Sequence, residues 1–152
     1  MPAVEVTDVK KHYAAGAATV RALDGVSLTV DQGEFMAIAG PSGSGKTTLL
    51  NLIGALDAPS SGVIRIDGTD LAGMSRQELA DLRRDKVGFV FQAYNLIPVL
   101  TAGENAEYVL ELKGVPGAKR RARIGELFTE LGIGEFLDTW PNTARGHKPG
   151  SE

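Results

Sequence analysis

Apolar side chains fall in short runs along the chain, separated by polar or glycine-rich turns. Residues 4–13 and 19–30 are rich in Val, Thr and Leu and flank the small-residue loop AAGAA, which predicts two antiparallel strands. The apolar run at 35–39 and the sequence Val-Ile-Arg-Ile at 63–66 predict further strands. The continuously apolar run at 87–91 is typical of a strand that is buried on both faces.

Helical periodicity lies between and after these strands. In 47–56, Leu and Ile repeat at i, i+4 and i+7, as in a helix that packs under a sheet. Ser75 and Glu78 have the spacing of a capping box, in which each side chain bonds a backbone N–H near the start of a helix. Thr101 and Glu104 repeat this spacing. The sequence therefore predicts helices after 75 and after 101.

The last predicted helix begins at about Ala118 and places Ile124 and Phe128 on one apolar face. Its first turns carry four basic residues, which we interpret as a solvated face rather than a phosphate or partner site. These residues are Lys119, Arg120, Arg121 and Arg123. Residues 141–152 contain no apolar residue larger than Ala, so a disordered tail is expected there.

Composition narrows the possible functions. A length of 152 residues suits one domain. The formal net charge of -3 gives no general attraction to nucleic acid or to an acidic membrane. The chain has no cysteine, which excludes disulfides and thiolate metal sites. No apolar run approaches the roughly 20 residues of a membrane-spanning helix, so we expect membrane association through a partner and no direct insertion.

The clearest chemical signature is the loop at 40–48. It reads Gly40-Pro41-Ser42-Gly43-Ser44-Gly45-Lys46-Thr47-Thr48 and satisfies the phosphate-binding pattern G-x-x-x-x-G-K-[ST] between a predicted strand and a predicted helix. Glycines permit backbone angles at which successive N–H groups turn inward and cradle phosphate oxygens. Lys46 supplies positive charge to the terminal phosphates and Thr47 supplies a hydroxyl to Mg²⁺. The pattern predicts a nucleotide-phosphate site.

Two further residues are candidates for the same site. Gln92 follows the run at 87–91, at the carboxyl end where ligands bind in open α/β sheets. Its amide either reaches Mg²⁺ or a water near the last phosphate, or is simply a polar residue leaving the sheet. Tyr13 ends the first predicted strand and either stacks on a base or is a surface tyrosine. Position in the sequence leaves both pairs of alternatives open.

Several segments together resemble the ATP-binding subunit of an ABC transporter. They are Tyr13, the Ala-Leu-Asp-Gly-Val-Ser-Leu run at 22–28, Gly33-Glu34-Phe35, the phosphate loop, Leu56-Asp57-x-Pro59-x-Ser61-Gly62 and VGFVFQAYNLIPVLTAGEN at 87–105. The resemblance extends from about residue 3 to about residue 140. Its later segments are most similar to the subfamily for lipoprotein release, macrolide export or peptide export.

The resemblance implies a role for each candidate residue. Tyr13 stacks on adenine, residues 40–48 hold the phosphates of ATP, and Thr47 and Gln92 coordinate Mg²⁺. Lys46 and Gln92 are the implied catalytic residues. The implied partners are a membrane-spanning permease and a second ATP-binding subunit in a homodimer, with no role for nucleic acid. The implied location is the cytoplasmic face of the inner membrane, through the permease, or the cytoplasm.

The implied fold class is α/β, with a phosphate-loop NTPase core, an N-terminal antiparallel β subdomain and the start of a helical subdomain, and with the C-terminal part of the sheet missing. The resemblance implies that residues 1–140 form a partial ABC-type ATP-binding domain. Within it, the antiparallel β part covers 1–34, the nucleotide-binding core 35–95 and the helical part 96–140. The tail covers 141–152.

The chain departs from the family after Phe136-Leu137-Asp138. There the family is expected to show a Leu-Ser-Gly-Gly-Gln signature, then a buried strand that ends in Asp-Glu, and a switch histidine. These segments do not occur in the sequence, and His147 lies in the polar tail. We therefore expect a truncated or frame-shifted chain that binds ATP and Mg²⁺ without efficient turnover.

Two alternatives to a transporter ATPase follow from the same residues. One is a non-catalytic nucleotide-binding remnant, which folds in part or binds ATP weakly. The other is a small phosphate-loop kinase or GTPase. The second is disfavoured because neither an acceptor site nor a guanine-reading Asn-Lys-x-Asp is visible in the sequence.

Overall fold

The computed structural model describes residues 1–16, 18–91, 93 and 95–141. The chain divides into two compact units, Met1–Phe89 and Val90–Glu152. Two predictions lie outside the described residues: the placement of Gln92, and the disorder of the tail beyond residue 141.

The first unit is built on an antiparallel sheet. Its four strands, among the described residues, are β1 (Val4–Ala15), β2 (Ala18–Val30), β3 (Ser61–Ile66) and β4 (Thr69–Asp70), in the order β2-β1-β3-β4. The antiparallel pairing of β1 with β2 confirms the first strand prediction, and β3 confirms the strand predicted at 63–66. Strand β1 pairs with β2 on one side and with β3 on the other, so it lies inside the sheet.

Helix α1 (Lys46–Ile53) packs against this sheet through Leu49 and Leu52. Both leucines are buried in the main core cluster, whose other buried members are Val6, Val9, Leu23 and Ile64. The helix ends earlier than the predicted 47–56, because Ala55 adopts a left-handed φ of 55° and turns the chain away. The Arg83 guanidinium donates a hydrogen bond of 2.6 Å to the Ala55 carbonyl and stabilises this turn.

Helix α2 (Arg76–Lys86) begins at the predicted capping box. The Ser75 hydroxyl accepts from the Glu78 N–H at 3.2 Å, and the Glu78 carboxylate accepts from the Ser75 N–H at 2.7 Å. Leu82 of this helix joins Ala55 and Ile66 in a second buried cluster. The prediction of a helix after residue 75 is therefore confirmed.

The second unit is helical in its described residues, with α3 (Ala102–Leu112), α4 (Gly117–Glu130) and a 3-10 turn at Gly134–Phe136. Thr101 and Glu104 form the second capping box, as predicted. Helix α4 buries its apolar face through Ile124 and Phe128, which confirms the periodicity of that segment. In the part of the chain that the structure describes, no helix is long and apolar enough to cross a membrane.

Two strand predictions are wrong. The described residues form no strand at 35–39 or at 87–91, and Phe35 and Val90 are 95% and 101% exposed. A run of apolar residues indicates a preference for burial, but a strand also requires a neighbour that completes its ladder of hydrogen bonds. The sequence pattern indicates the preference for burial, but it does not specify the neighbouring strand.

Strand β1 contains an irregularity that brings β3 unusually close. The register of the β1–β3 pair shifts between Thr7 and Lys10, and Asp8 has a φ of 44°. Opposite this point lies Gly62, with a φ of 91°; an added Cβ would come within 2.4 Å of the Asp8 carbonyl oxygen. Glycine is therefore required here both by conformation and by space.

Gly62→Ala should lower the free energy of unfolding by about 2–4 kcal/mol, because strain at positive φ and overlap with the β1 backbone add together. Gly33→Ala is the matched control: its φ is 77°, but no described atom lies within 4 Å of the added Cβ. It should cost only about 1 kcal/mol. Urea unfolding of both variants measures the difference, and equal losses would show that β1 moves aside freely.

Candidate nucleotide-phosphate site

The predicted phosphate loop at 40–48 continues into the first turn of α1, and its Gly45 lies against strand β2. Gly45 is the N-cap residue of α1 and has a left-handed φ of 89°. A Cβ at this position would lie 2.5 Å from the Ala22 carbonyl oxygen and 2.8 Å from a methyl carbon of Leu23. The N-terminus of α1 therefore lies against the backbone of β2. The free N–H groups of a helix N-terminus favour anionic ligands.

Lys46 is held by its own loop. Its ammonium group donates to the carbonyl oxygens of Gly40 and Pro41 at 2.8 and 2.7 Å and to the Ser44 hydroxyl at 3.3 Å. These bonds place a positive charge over residues 40–44, beside the N–H groups at the start of α1. The positive end of the helix dipole and the positive charge of the ammonium group therefore lie at the same place.

A cavity of about 540 Å³ opens at this loop. Its lining combines one edge of β2 with the loop and the first turn of α1, and consists of Val20, Arg21, Ala22, Ser42, Gly43, Gly45, Lys46, Thr47 and Thr48. The volume is within the range of small-molecule and cofactor sites. Six predicted site residues therefore line one cavity, and three others, Gly40, Pro41 and Ser44, hold the Lys46 ammonium group.

Tyr13 lies beside this cavity. It is the cross-strand partner of Val20, which lines the cavity, and directly opposed residues project from the same face of a sheet. Its hydroxyl donates to the Asp57 carboxylate at 2.9 Å. That hydrogen bond raises the pKa of Tyr13, while the Thr48 side chain acts in the opposite direction.

The sequence alone assigned no role to three residues of this region, Lys11, Asp57 and Arg21. Lys11 donates to Asp57 at 2.7 Å, and this bond is the main cause that lowers the pKa of the Asp57 carboxyl. Lys11 is two positions before Tyr13, so the strand period was a signal that both share a face. Arg21 lines the cavity with its side chain 70% exposed, and no signal in the sequence indicated it.

Residues 23–148 match the family model described as ABC transporter. The chain belongs to the ABC transporter family. The family resemblance read from the sequence is thus confirmed. The roles of Tyr13, Gln92 and residues 40–48 toward a nucleotide stay predictions.

Curated relatives of this ABC transporter chain include much longer proteins. A macrolide export ATP-binding/permease protein of Marinobacter nauticus is 47% identical over 145 residues, which are 95% of this chain and 22% of that protein. An uncharacterized ABC transporter ATP-binding protein of Thermotoga maritima is 46% identical over 143 residues, 94% of this chain and 61% of that protein. The chain therefore spans about a fifth to three fifths of the length of these relatives.

Solved ATP-binding cassettes have the same fold. One is a dimeric cassette in a post-hydrolysis state, bound to ADP and inorganic phosphate, with a TM-score of 0.85 and 43% identity over 91% of this chain and 62% of that one. Another dimeric bacterial cassette has a TM-score of 0.87 and 42% identity over 94% of this chain and 63% of that one. These likenesses confirm the α/β fold class.

Gly45→Ala should disrupt the phosphate loop much more than Gly43→Ala. Both glycines have left-handed φ, at 89° and 81°, but only the Gly45 Cβ would meet the backbone of β2; no described atom lies within 4 Å of a Cβ at Gly43. We expect a loss of about 2–4 kcal/mol in unfolding free energy for Gly45→Ala and about 1 kcal/mol for Gly43→Ala. Chemical denaturation gives both values, and the reverse order would contradict this account of the loop.

Proposed function

We propose that this chain binds ATP with Mg²⁺ as part of the ATP-binding portion of an ABC exporter, of the type that serves macrolide export or lipoprotein release. The observation that carries the proposal is the Lys46 ammonium group, held over the glycine loop at a cavity of about 540 Å³. The relative in Marinobacter nauticus, a macrolide export ATP-binding/permease protein, supports the export class.

The residues at the loop fit a triphosphate. Glycine at position 45 lets the start of α1 approach β2 closely, since a Cβ there would lie 2.5 Å from the Ala22 carbonyl oxygen. The N–H groups at the start of a helix bind phosphate oxygens. Lys46 supplies a charge that reaches the terminal phosphates after its bonds to the loop carbonyls are exchanged. The cassette that is bound to ADP and inorganic phosphate, at 43% identity, supports the same ligand here.

The donor set also fits Mg²⁺. Thr47 lines the cavity and offers a hydroxyl oxygen, a ligand type suited to this hard cation. Gln92 is the second proposed ligand, on the ground of the sequence resemblance alone. Bound Mg²⁺ would neutralise phosphate charge. Thr47 would hold the cation from the first turn of α1.

The base would lie at the Tyr13 end of the cavity. Tyr13 is 41% exposed and stands across the strand pair from Val20. An aromatic ring of this exposure at the edge of a nucleotide cavity supplies a stacking surface. The sheet register thus sets the separation between the proposed base and phosphate sites.

We also propose partners and a location. A membrane-spanning permease would couple the nucleotide to transport, and a second copy of the ATP-binding subunit would complete the nucleotide site. The dimeric cassettes among the solved structures support the second partner. The proposed location is the cytoplasmic face of the inner membrane, where the permease holds the subunit.

Lys46→Ala should weaken ATP binding about ten- to a hundredfold, because a charge-assisted contact contributes about 1.5–3 kcal/mol. Lys113→Ala, at the exposed end of α3, is the matched control that removes the same charge elsewhere. Titration with a fluorescent ATP analogue in the presence of Mg²⁺ measures both. Equal affinities for wild type and Lys46→Ala would refute the phosphate-loop assignment.

The polypeptide of these 152 residues should bind ATP without efficient hydrolysis, since its sequence contains no Leu-Ser-Gly-Gly-Gln and no apolar run followed by Asp-Glu. Loss of several transition-state contacts, each worth about 3 kcal/mol, would lower the rate by many factors of ten. Phosphate release by the purified chain, compared with Lys46→Ala to exclude contaminants, tests this. Turnover at about 1 per second or faster, abolished in the variant, would refute it.

A further inference from the structure

One carboxylate connects the proposed base platform to the loop that follows α1. Asp57 accepts from the Lys11 ammonium at 2.7 Å and from the Ala58 N–H at 2.8 Å through the same oxygen. Its second oxygen accepts from the Tyr13 hydroxyl at 2.9 Å. Both oxygens are therefore engaged, and two of the three donors come from β1.

The rest of this loop is bound to β1 as well. The Ser60 N–H donates to the Lys10 carbonyl at 2.8 Å, and the His12 N–H donates to the Ser60 hydroxyl at 2.9 Å. The Lys11 ammonium also donates to the Ala58 carbonyl at 2.7 Å. These bonds hold the loop that carries Asp57 against β1. The hydrogen bond from the Tyr13 hydroxyl to Asp57 therefore restricts the rotation of the partly exposed tyrosine ring.

Lys11 defines the two faces of that ring. Its ammonium lies 4.8 Å from the Tyr13 ring centroid, within the distance of a cation–π interaction. The Lys11 side chain is only 12% exposed, because the loop covers it. A planar ligand would therefore have to stack on the opposite face of the ring, at an angle that the hydrogen bond to Asp57 sets.

We propose that Asp57 is a positioning residue for nucleotide binding: it orients Tyr13, together with Lys11, so that one face of the ring receives the base. This inference rests on the proposed function, in which Tyr13 stacks on adenine. In this role Asp57 would not contact the nucleotide. Its contribution is the orientation of the ring before the nucleotide arrives, which reduces the conformational entropy that binding would otherwise remove.

A purely structural role for Asp57 predicts a different result. If the carboxylate only attaches the loop after α1 to the sheet, its loss weakens every ligand of the phosphate loop to the same extent. If it orients the base platform, its loss affects only ligands that carry a base. Mg²⁺-ATP and Mg²⁺-tripolyphosphate separate the two roles, because they share the phosphate chain and differ in the nucleoside.

The experiment measures the affinities of both ligands by calorimetry for the wild-type chain, Asp57→Ala, Tyr13→Ala and the double variant. We expect Asp57→Ala to weaken ATP about three- to tenfold, the range of one aromatic stacking contact, and to change tripolyphosphate less than about twofold. In the Tyr13→Ala background, Asp57→Ala should have no further effect on ATP. If the alanine variant fails to unfold cooperatively, Tyr13→Phe replaces it, because this change removes the hydroxyl that donates to Asp57 and leaves the ring and the other bonds of Asp57 in place.

Asp70→Ala is the matched control. Asp70 also accepts from a backbone N–H, that of Ala72 at 2.8 Å, and pairs with a cation, Arg65, at 3.6 Å. It lies on β4, at the opposite edge of the sheet from β2. Its removal should leave both affinities unchanged.

The outcomes distinguish the two proposals. Equal loss of ATP and tripolyphosphate affinity in Asp57→Ala, or an additive effect in the double variant, would overturn the positioning role while the phosphate-loop function stands. An unchanged ATP affinity in Tyr13→Ala would overturn the stacking role of Tyr13 and the positioning role with it. Insensitivity of ATP binding to Lys46→Ala would instead overturn the proposed function itself.

Discussion

The close approach of the phosphate loop to strand β2 is the constraint on which the rest of the site depends. Gly45 stands where a Cβ would meet the Ala22 carbonyl at 2.5 Å, so the N-terminus of α1 rests on the backbone of the sheet. Leu49 and Leu52 then enter the core in the following turns of the helix. Burial of these leucines stabilises the orientation in which Lys46 begins the helix at the cavity.

Strand β1 relates the two ends of the candidate nucleotide site. It pairs with β2, whose Ala22 supports the phosphate loop, and it carries Tyr13 opposite Val20. On its other side it pairs with β3 and is bound to the loop after α1, through Asp57. The pairing of Tyr13 with Val20 thus relates the position of the tyrosine to that of the phosphate loop.

Local features of this fold were predictable, and features that need a distant partner were not. The capping boxes at Ser75 and Thr101 involve residues three positions apart, and both formed as expected. The β1–β2 hairpin also follows from neighbouring segments. The strands expected at 35–39 and 87–91 are not formed in the described residues, because a buried strand depends on neighbours that its own sequence does not specify.

The sequence by itself determined the family, the glycine-rich loop before α1 and the helices, since each depends on residue types at short, fixed spacing. Only the tertiary structure decided why Gly45 has no room for a side chain and which groups surround Tyr13. The bonds of Asp57 to Tyr13 and Lys11 connect residues 44 and 46 positions apart. Such contacts form when β1 and the loop after α1 are brought together by burial of the core, a process that no local pattern encodes.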